Sequence, residues 1–311
     1  MSPAASPAVT PPGEVPAPRP APPACPAVSG PVGIVGLGLI GGSLGLDLQA
    51  LGFEVRGLVH RPVTAARALE RGLVQVVSTD PAILSGCGLV VLALPLDRLL
   101  EPDPALLAAL PPQAVITDVG SVKQPVLARW QPIHHRFVPS HPMAGTAEAG
   151  VDAGQRGLFR GRPWVVTPAA DADGEALAVV RALAESVGAR WLACTASEHD
   201  QAVALISHLP VLVSAALLSS ADRQAAAVGG AALSELVRAL ASSGFADTTR
   251  VGGGNPELGT LMARCNREPV LAALAGYRRS LDDLDALLNA QDWPGLQAAL
   301  EHCQRLRPDF L

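Results

Sequence analysis

The sequence predicts an α/β protein in which a doubly wound, mostly parallel sheet is followed by an all-helical domain. Short apolar runs alternate with helical stretches from Val32 to about residue 195, a pattern typical of parallel strands joined by crossover helices. From about residue 196 no strand candidate remains, and long alanine- and leucine-rich helical runs follow. The chain has 311 residues, which suits two domains at roughly 150 residues each.

A proline-rich segment precedes the first predicted strand. Residues 1–30 contain ten of the 29 prolines, and Glu14 and Arg19 are their only charged side chains. This composition favours extended, polyproline-like conformers and buries too little apolar surface to offset the entropy of ordering. We therefore predict a disordered leader over 1–30, a strand-containing domain over 31–195 and a helical domain over 196–311.

The helical domain has wide apolar faces. Such faces are typical of a unit that pairs with a second copy, so we predict a homodimer through this domain; the alternative is that the faces pack on the first domain. The predicted strands are 32–36, 54–59, 88–94, 114–118, 136–140, 163–167 and 190–194, with helices such as 64–71 and 175–187 between several of them. The helices of the second domain are predicted over 198–225, 231–242, 257–265, 268–289 and 293–304.

The charge balance and the apolar runs exclude several classes of protein. A formal charge of −5 does not supply the basic surface that nucleic-acid binding needs. A membrane span needs about 20 uninterrupted apolar residues, and the long run after His208 is broken by Pro210 and Ser214. No signal peptide is visible at the N-terminus. We therefore expect a soluble protein with neither a nucleic-acid nor a membrane partner.

Cysteine and histidine spacing argues against a metal site. The five cysteines are far apart and form no C-x-x-C pair, which excludes a thiolate zinc site and fits a reducing cytoplasm. His199 and His208 lie nine positions apart in one predicted helix, so their side chains should point about 180° apart. We predict that the protein binds no metal and is cytoplasmic.

A glycine-rich turn follows the first predicted strand and opens a helix. Gly36, Gly38 and Gly41 flank Leu39 and Ile40 in a G-x-G-x-x-G fingerprint. Its glycines permit a tight turn and close approach of backbone to a pyrophosphate, while the helix N-terminus supplies N–H groups. The position in the strand–helix pattern is the one that dinucleotide binding requires. The fingerprint therefore predicts a Rossmann-like domain; a purely structural glycine turn is the alternative.

The residues after the second predicted strand favour NADP over NAD. NAD sites usually carry a carboxylate there for the ribose 2′-hydroxyl, but His60 and Arg61 occupy this place and no carboxylate lies within 57–68. A carboxylate would repel a 2′-phosphate, whereas an arginine binds one through two parallel hydrogen bonds. We assign His60 and Arg61 to the cofactor site; Arg61 as a solvated loop charge is the alternative.

The segment after the predicted strand 114–118 carries two candidate site residues. Ser121 is a candidate catalytic residue, or it caps the next helix with Gln124 completing a capping box; Pro125 as the helix start would leave Ser121 in the loop. Lys123 is the only lysine beside 22 arginines, which indicates a chemical need for a compact ammonium. We assign it to the cofactor site, with an ordinary surface lysine as the alternative.

A histidine follows the predicted strand 136–140. Pro142 biases His141 toward extended geometry, so its imidazole should project at the strand's end, where ligands of open α/β sheets bind. Histidine titrates near pH 6.5, so His141 is suited to take a proton from an alcohol during hydride transfer. Its alternative role is structural.

A glycine-rich loop over 243–257 interrupts the helical domain. Asn255 is a plausible N-cap with Pro256 at the first helical position. Arg250, just before the glycines, is placed as a clamp for a carboxylate, with an unremarkable surface arginine as the alternative.

Together these segments resemble the TyrA family of prephenate and arogenate dehydrogenases. The resemblance covers about residues 32–300, is closest to arogenate dehydrogenases of the cyanobacterial type, and is carried most specifically by SHPMAGT and DTTRVGGGNPELGT. VGIVGLGLIGGSL, TDVGSVK and EHDQAVALISHLP also contribute.

The resemblance implies oxidative decarboxylation of L-arogenate to L-tyrosine with reduction of NADP, in a dimer formed through the helical domain. By this likeness His141 takes the proton of the ring 4-hydroxyl, Ser121 lies near the nicotinamide, and Arg250 binds a substrate carboxylate. His208 and Asp200 match positions that line the cleft.

Three alternatives remain at this point. Some prephenate-using relatives carry a histidine where this chain has Val211, which weakens prephenate as substrate without excluding it. A β-hydroxyacid dehydrogenase or imine reductase shares the domain plan, but the hydroxyacid group needs a lysine in the helical domain, which has none. The non-enzyme alternative is an NADP-binding sensor.

Overall fold

The large sheet forms the first half of the molecule. A computed structural model describes residues 28–146 and 148–310, so nearly all of the predicted leader lies outside the described residues. Six strands follow the order β3-β2-β1-β4-β5-β6, and every neighbouring pair is parallel. The strands are β1 Val32–Val35, β2 Val55–Leu58, β3 Val76–Ser78, β4 Leu89–Leu92, β5 Val115–Asp118 and β6 Phe137–Val138.

Both faces of this sheet are covered. The connecting helices are α1 Leu39–Ala50, α2 Pro62–Glu70, α3 Leu96–Leu100, α4 Pro104–Ala109 and α5 Gln124–Trp130. Val91 belongs to one apolar core and its neighbour Leu92 to the other, since successive side chains of a strand point to opposite faces. The strand order reverses between β1 and β4, which is where open α/β sheets bind ligands. The predicted doubly wound fold is confirmed.

A small second sheet contains the region predicted as one strand over 136–140. That prediction is wrong: the chain makes β6, then passes Pro139, and continues as β7 Ser140–Pro142 in a different sheet. β7 pairs antiparallel with β8 Pro163–Val166, which pairs parallel with β9 Arg190–Ala193; α6 Gly174–Ser186 lies between β8 and β9 in the chain. Pro139 has no N–H to give to a ladder, so it suits the break.

The second half is helical. Its helices are α7 Ala196–Val203, α8 Leu209–Leu240, α9 Ser243–Thr249, α10 Pro256–Cys265, α11 Arg267–Asn289 and α12 Trp293–Leu306, with a π-helical segment Ala204–His208 between α7 and α8. The loop predicted over 243–257 therefore contains a helix, α9. Gly230 has φ +57°, so α8 bends near the predicted boundary between 225 and 231.

The segment Ala196–Leu240 is a 45-residue helical stretch with a bend at Gly230. Pro210 lies in the first turn of α8, where its missing N–H costs nothing, so the proline that interrupts the apolar run does not interrupt the helix. The most apolar 18-residue window has a mean hydropathy of 2.0 and is 22% buried. This helix is long and apolar enough to span a membrane, but long core helices of soluble proteins have the same length and composition.

Candidate active site

The glycine turn between β1 and α1 leaves room for an anion. Gly36 has φ +93°, and a Cβ there would lie 2.3 Å from the carbonyl oxygen of Ala93; a Cβ on Gly41 would lie 1.9 Å from the carbonyl oxygen of Gly36. Gly38, in contrast, has no atom within 4 Å of where its Cβ would be. No side chain caps α1 and its first turn has no acidic residue. Its free N–H groups fit a pyrophosphate.

The other residues predicted for the cofactor surround this turn. Leu39 and Ile40 are half-buried in the first turn of α1, and His60 and Arg61 are exposed beyond β2. The end of β2 is next to the turn, because the N–H of Gly36 donates to the carbonyl of Leu58 at 2.9 Å. Within the described chain Arg61 forms no ion pair, so its guanidinium is available to a phosphate.

Lys123 lies inside the protein rather than on its surface. Its side chain is fully buried, and its ammonium pairs with the carboxylate of Asp118 and donates to the carbonyl oxygen of Ser140 at 2.7 Å. Burial lowers the pKa of Lys123, while Asp118 raises it. The surface-lysine alternative is therefore wrong, while the assignment of Lys123 to the cofactor site stays a prediction: the ammonium joins β5 to β7, immediately before His141.

Ser121 does not cap a helix. α5 begins at Gln124 with Pro125 in its first turn and has no side-chain cap from its own segment, so the capping-box alternative is wrong. Asp200 of α7 takes that place: its two carboxylate oxygens accept hydrogen bonds from the backbone N–H of Lys123 at 2.7 Å and of Gln124 at 2.8 Å. The hydroxyl oxygen of Ser121 is buried and without a partner among the described residues, which favours a role toward a ligand.

Three side chains form a hydrogen-bonded chain that ends at His141. Asp200 Oδ1 lies 2.7 Å from His199 Nδ1, and His199 Nε2 lies 2.9 Å from His141 Nδ1. The two rings meet at an interplanar angle of 71°. Asp200 and His199 are almost fully buried, and His141 retains 9% exposure. Both oxygens of Asp200 are thus used within the protein, which favours a positioning role over the predicted contact with substrate.

The pKa of His141 lies well below its ordinary value. Burial is the main cause, and the neighbouring His199, Lys123 and His208 lower the pKa further. A neutral imidazole carries one proton and one lone pair, so at neutral pH His141 is in the form that accepts a proton.

His208 completes the cluster and is held by a residue that the sequence reasoning missed. Asn266 Nδ2 donates to the backbone carbonyl of Asp200 at 2.7 Å and lies 3.2 Å from His208 Nδ1. The carbonyl can only accept, so this atom is the amide nitrogen and His208 Nδ1 is the acceptor. His208 therefore carries its proton on Nε2, a buried atom without a partner among the described residues. Burial lowers the pKa of His208 to about 4.

The helix between His199 and His208 is not a straight α-helix. The prediction assumed a straight α-helix, but the π-helical segment Ala204–His208 between them changes the angular register. His199 is close enough to His208 to lower its pKa. No group of three His, Cys, Asp or Glu residues suited to a metal ion occurs in 28–146 or 148–310.

Arg250 is not bonded to this cluster. It is exposed at the end of α9 and makes no hydrogen bond or ion pair with the His141 group. Gly252 packs closely on α8, since its N–H donates to the Ser214 hydroxyl at 2.7 Å and a Cβ on it would lie 2.3 Å from the backbone nitrogen of Ala215. The structure thus fixes the segment after Arg250 and leaves its guanidinium accessible.

Two family models match most of the chain. "Prephenate dehydrogenase, nucleotide-binding domain" matches residues 44–193, and "Prephenate dehydrogenase, dimerization domain" matches residues 195–302. The long apolar helix Ala196–Leu240 falls within the second match, so its little-buried surface belongs to a dimerization domain.

Individual relatives agree with these matches. Cyclohexadienyl dehydrogenase of Zymomonas mobilis is 30% identical over 282 residues, which cover 89% of this chain and 94% of that protein. The crystal structure of Synechocystis arogenate dehydrogenase is 40% identical with a TM-score of 0.74, and covers 90% of this chain and 99% of its own. Prephenate dehydrogenase from Aquifex aeolicus, in complex with hydroxyphenyl propionate and NAD+, is 27% identical with a TM-score of 0.83, covering 91% and 98%.

Proposed function

The chain belongs to the TyrA family of prephenate and arogenate dehydrogenases, and we propose that within this family it converts L-arogenate to L-tyrosine by NADP-dependent oxidative decarboxylation. It is an oxidoreductase with a nucleotide-binding domain. The observation that carries the proposal is His141, a buried neutral imidazole whose Nδ1 is bound to His199. Its other nitrogen is thereby left to take the proton of an alcohol.

The proposed chemistry needs one base at the substrate hydroxyl. When bound, the nicotinamide would accept a hydride from ring carbon 4. His141 Nε2 takes the proton of the 4-hydroxyl, so that this oxygen becomes a ketone conjugated to the ring. Loss of carbon dioxide from C1 then returns an electron pair to that oxygen, which recovers the proton from His141. Aromatisation makes the sequence downhill. The unpartnered Ser121 hydroxyl orients the same oxygen or the nicotinamide.

Two further groups are proposed to hold the substrate. Arg250 binds a carboxylate, because its guanidinium is exposed and unpaired within the described chain, and such groups form bidentate pairs. His208 donates through Nε2, which lacks a partner among the described residues. Asp200 does not contact the substrate in this proposal; it positions His199 and the start of α5 through hydrogen bonds.

Arogenate is preferred to prephenate on two grounds. The identity to Synechocystis arogenate dehydrogenase is 40%, against 27% to the Aquifex aeolicus prephenate dehydrogenase. Val211 is apolar and half-buried, and packs near Gly259, so it offers no donor to the ketone that distinguishes prephenate. Prephenate dehydrogenase remains the second candidate.

NADP is proposed over NAD because of Arg61. This guanidinium is exposed at the start of α2, and no carboxylate within 57–68 would repel a 2′-phosphate. The structure of the Aquifex aeolicus enzyme contains NAD+, so the preference of this chain for NADP over NAD needs its own test. We further propose a cytoplasmic homodimer that pairs through the helical domain.

The test is to offer both acids with both nicotinamide cofactors and to follow the absorbance of the reduced cofactor. We expect arogenate with NADP to give the highest kcat/KM of the four combinations. A higher kcat/KM for prephenate would favour the second candidate. Binding of dinucleotide without turnover of either acid would favour a sensor.

A further inference from the structure

His199 is a buried residue with no assigned part in the reaction. It lies between a carboxylate and the proposed base, with Nδ1 2.7 Å from Asp200 Oδ1 and Nε2 2.9 Å from His141 Nδ1. His199 belongs to α7, whereas His141 belongs to β7, 58 positions earlier. The contact therefore joins the helical half to the strand that carries the base.

We propose that His199 is a positioning residue that fixes the tautomer of His141, so that the lone pair of His141 is on Nε2, away from His199. The inference rests on the proposed role of His141 as the base, and it deepens that role.

The direction of each hydrogen bond follows from Asp200 together with a neutral His199, which is a premise of the proposal. A carboxylate only accepts, so His199 must donate from Nδ1, and a neutral His199 then has its lone pair on Nε2. That nitrogen accepts, so His141 must donate from Nδ1 and keep its lone pair on Nε2. Asp200 is itself held by two further hydrogen bonds, because its oxygens also accept from the backbone N–H of Lys123 and Gln124.

The same contact stabilises the charged form of His141 during turnover. When His141 takes up a proton on Nε2, its Nδ1–H bond to His199 becomes charge-assisted and stronger. The arrangement has the logic of a base that is oriented by a third group, as in catalytic triads. The acceptor for His141 is here a second imidazole, and the carboxylate acts through it.

The first test measures the tautomer directly, without substrate. The full chain is labelled with 15N-histidine, and two-bond 1H–15N correlation spectra are recorded near pH 7.5. His141→Asn and His199→Gln assign the two rings by loss of their signals, and His135→Asn, an exposed neighbour on the first domain, is the control. We expect His141 to be protonated on Nδ1. Protonation of His141 on Nε2 would overturn the proposal.

The second test compares two replacements of His199. The amide of His199→Gln is able to donate to Asp200 and to accept from His141, whereas His199→Leu does neither. We expect His199→Leu to lower kcat by about 10²-fold and His199→Gln by about tenfold, the scale of an impaired general base, with an unchanged Kd for NADP. Equal losses in the two variants, or a wild-type kcat in His199→Leu, would overturn the proposal.

The two tests separate this inference from the proposed function. If neither acid is oxidised but His141 is protonated on Nδ1, the proposed reaction fails and the tautomer assignment stands. If arogenate is oxidised and His141 is protonated on Nε2, the reaction stands and the role of His199 fails. If His199→Leu does not fold, the spectrum of the wild-type chain still decides.

Discussion

The backbone N–H of Lys123, in the strand-containing half, donates a 2.7 Å hydrogen bond to Asp200 Oδ1, in the helical half. The same oxygen lies 2.7 Å from His199 Nδ1. One carboxylate therefore fixes the start of α5 and the orientation of the imidazole chain that reaches His141. The two halves of the molecule meet in a fixed register at the proposed site.

The first prediction concerns the base. His141→Asn keeps a polar side chain of similar reach but loses the titrating nitrogen, so we expect kcat to fall by about 10²-fold or more, with an unchanged Kd for NADP. Steady-state kinetics and a dinucleotide titration measure the two quantities. The exposed His135→Asn serves as control and should match the wild type. A kcat near that of the wild type in His141→Asn would remove His141 from this role.

A second prediction concerns the carboxylate clamp. Arg250→Ala removes a charge-assisted pair worth about 1.5–3 kcal/mol, so we expect KM for the acid substrate to rise by roughly tenfold to a hundredfold, with a smaller change in kcat. Arg250→Lys keeps the charge but loses bidentate geometry and should lie between the two. If KM stays unchanged in both variants, the clamp lies elsewhere.

The choice of cofactor gives a third prediction. In Arg61→Ser the ratio of kcat/KM for NADP over NAD should fall by about tenfold, because the 2′-phosphate loses its cationic partner. The matched control is Arg181→Ser on α6, an exposed arginine that pairs with Glu185. An unaltered ratio in Arg61→Ser would place the 2′-phosphate at another group.

The buried ion pair gives a prediction about stability. Lys123→Met leaves the Asp118 carboxylate buried without its counter-charge, which costs about 3–5 kcal/mol. Urea unfolding measures this loss in the free energy of unfolding. The double variant Lys123→Met with Asp118→Asn should recover part of it, since the orphaned charge is then gone. A loss below about 1 kcal/mol in the single variant would contradict the assignment.

The fifth prediction is a pH dependence of stability. The pKa of His208 is lowered from 6.5 in the unfolded chain to about 4 in the folded protein, so the unfolded chain binds more protons between these values. The free energy of unfolding should therefore decrease as pH falls from about 6.5 toward 4. His141 acts in the same direction, since its pKa is also lowered.

Urea unfolding at a series of pH values tests this. His208→Gln removes one of the titrating groups and should flatten the dependence between pH 6.5 and 4. The same slope in this variant and in the wild type would show that His208 does not contribute.

The sequence predicted best what depends on local spacing. The glycine turn of Gly36, Gly38 and Gly41, the buried strands of the large sheet and the long helices follow from residues close together in the chain. The edge strand β3 was missed because it has three residues and is half exposed. The single strand expected over 136–140 was wrong because periodicity does not say to which sheet a residue belongs.

What the sequence could not predict depends on contacts between distant segments. Lys123 carries no local sign that Asp118 and Ser140 would bury its ammonium. His199 stood in the E-H-D run of the sequence, yet its role required His141, 58 positions earlier, as neighbour. The π-helical segment Ala204–His208 has no reliable local signature, so the angle predicted between His199 and His208 rested on a regular α-helix that the chain does not form.

The change of sheet at Pro139 has a last consequence. The glycine turn Gly36–Gly41 follows a strand of the large sheet, while His141 lies on the small one. In the proposed reaction, the distance between the nicotinamide and His141 therefore depends on how the two sheets are held together. Ser140 of β7 connects the small sheet to β5 of the large one: its hydroxyl lies 2.9 Å from the Thr117 hydroxyl and donates to the carbonyl of Asp118 at 2.7 Å. A random-mutagenesis screen for variants that have lost turnover should therefore find substitutions at Ser140 and Thr117, although both side chains are fully buried.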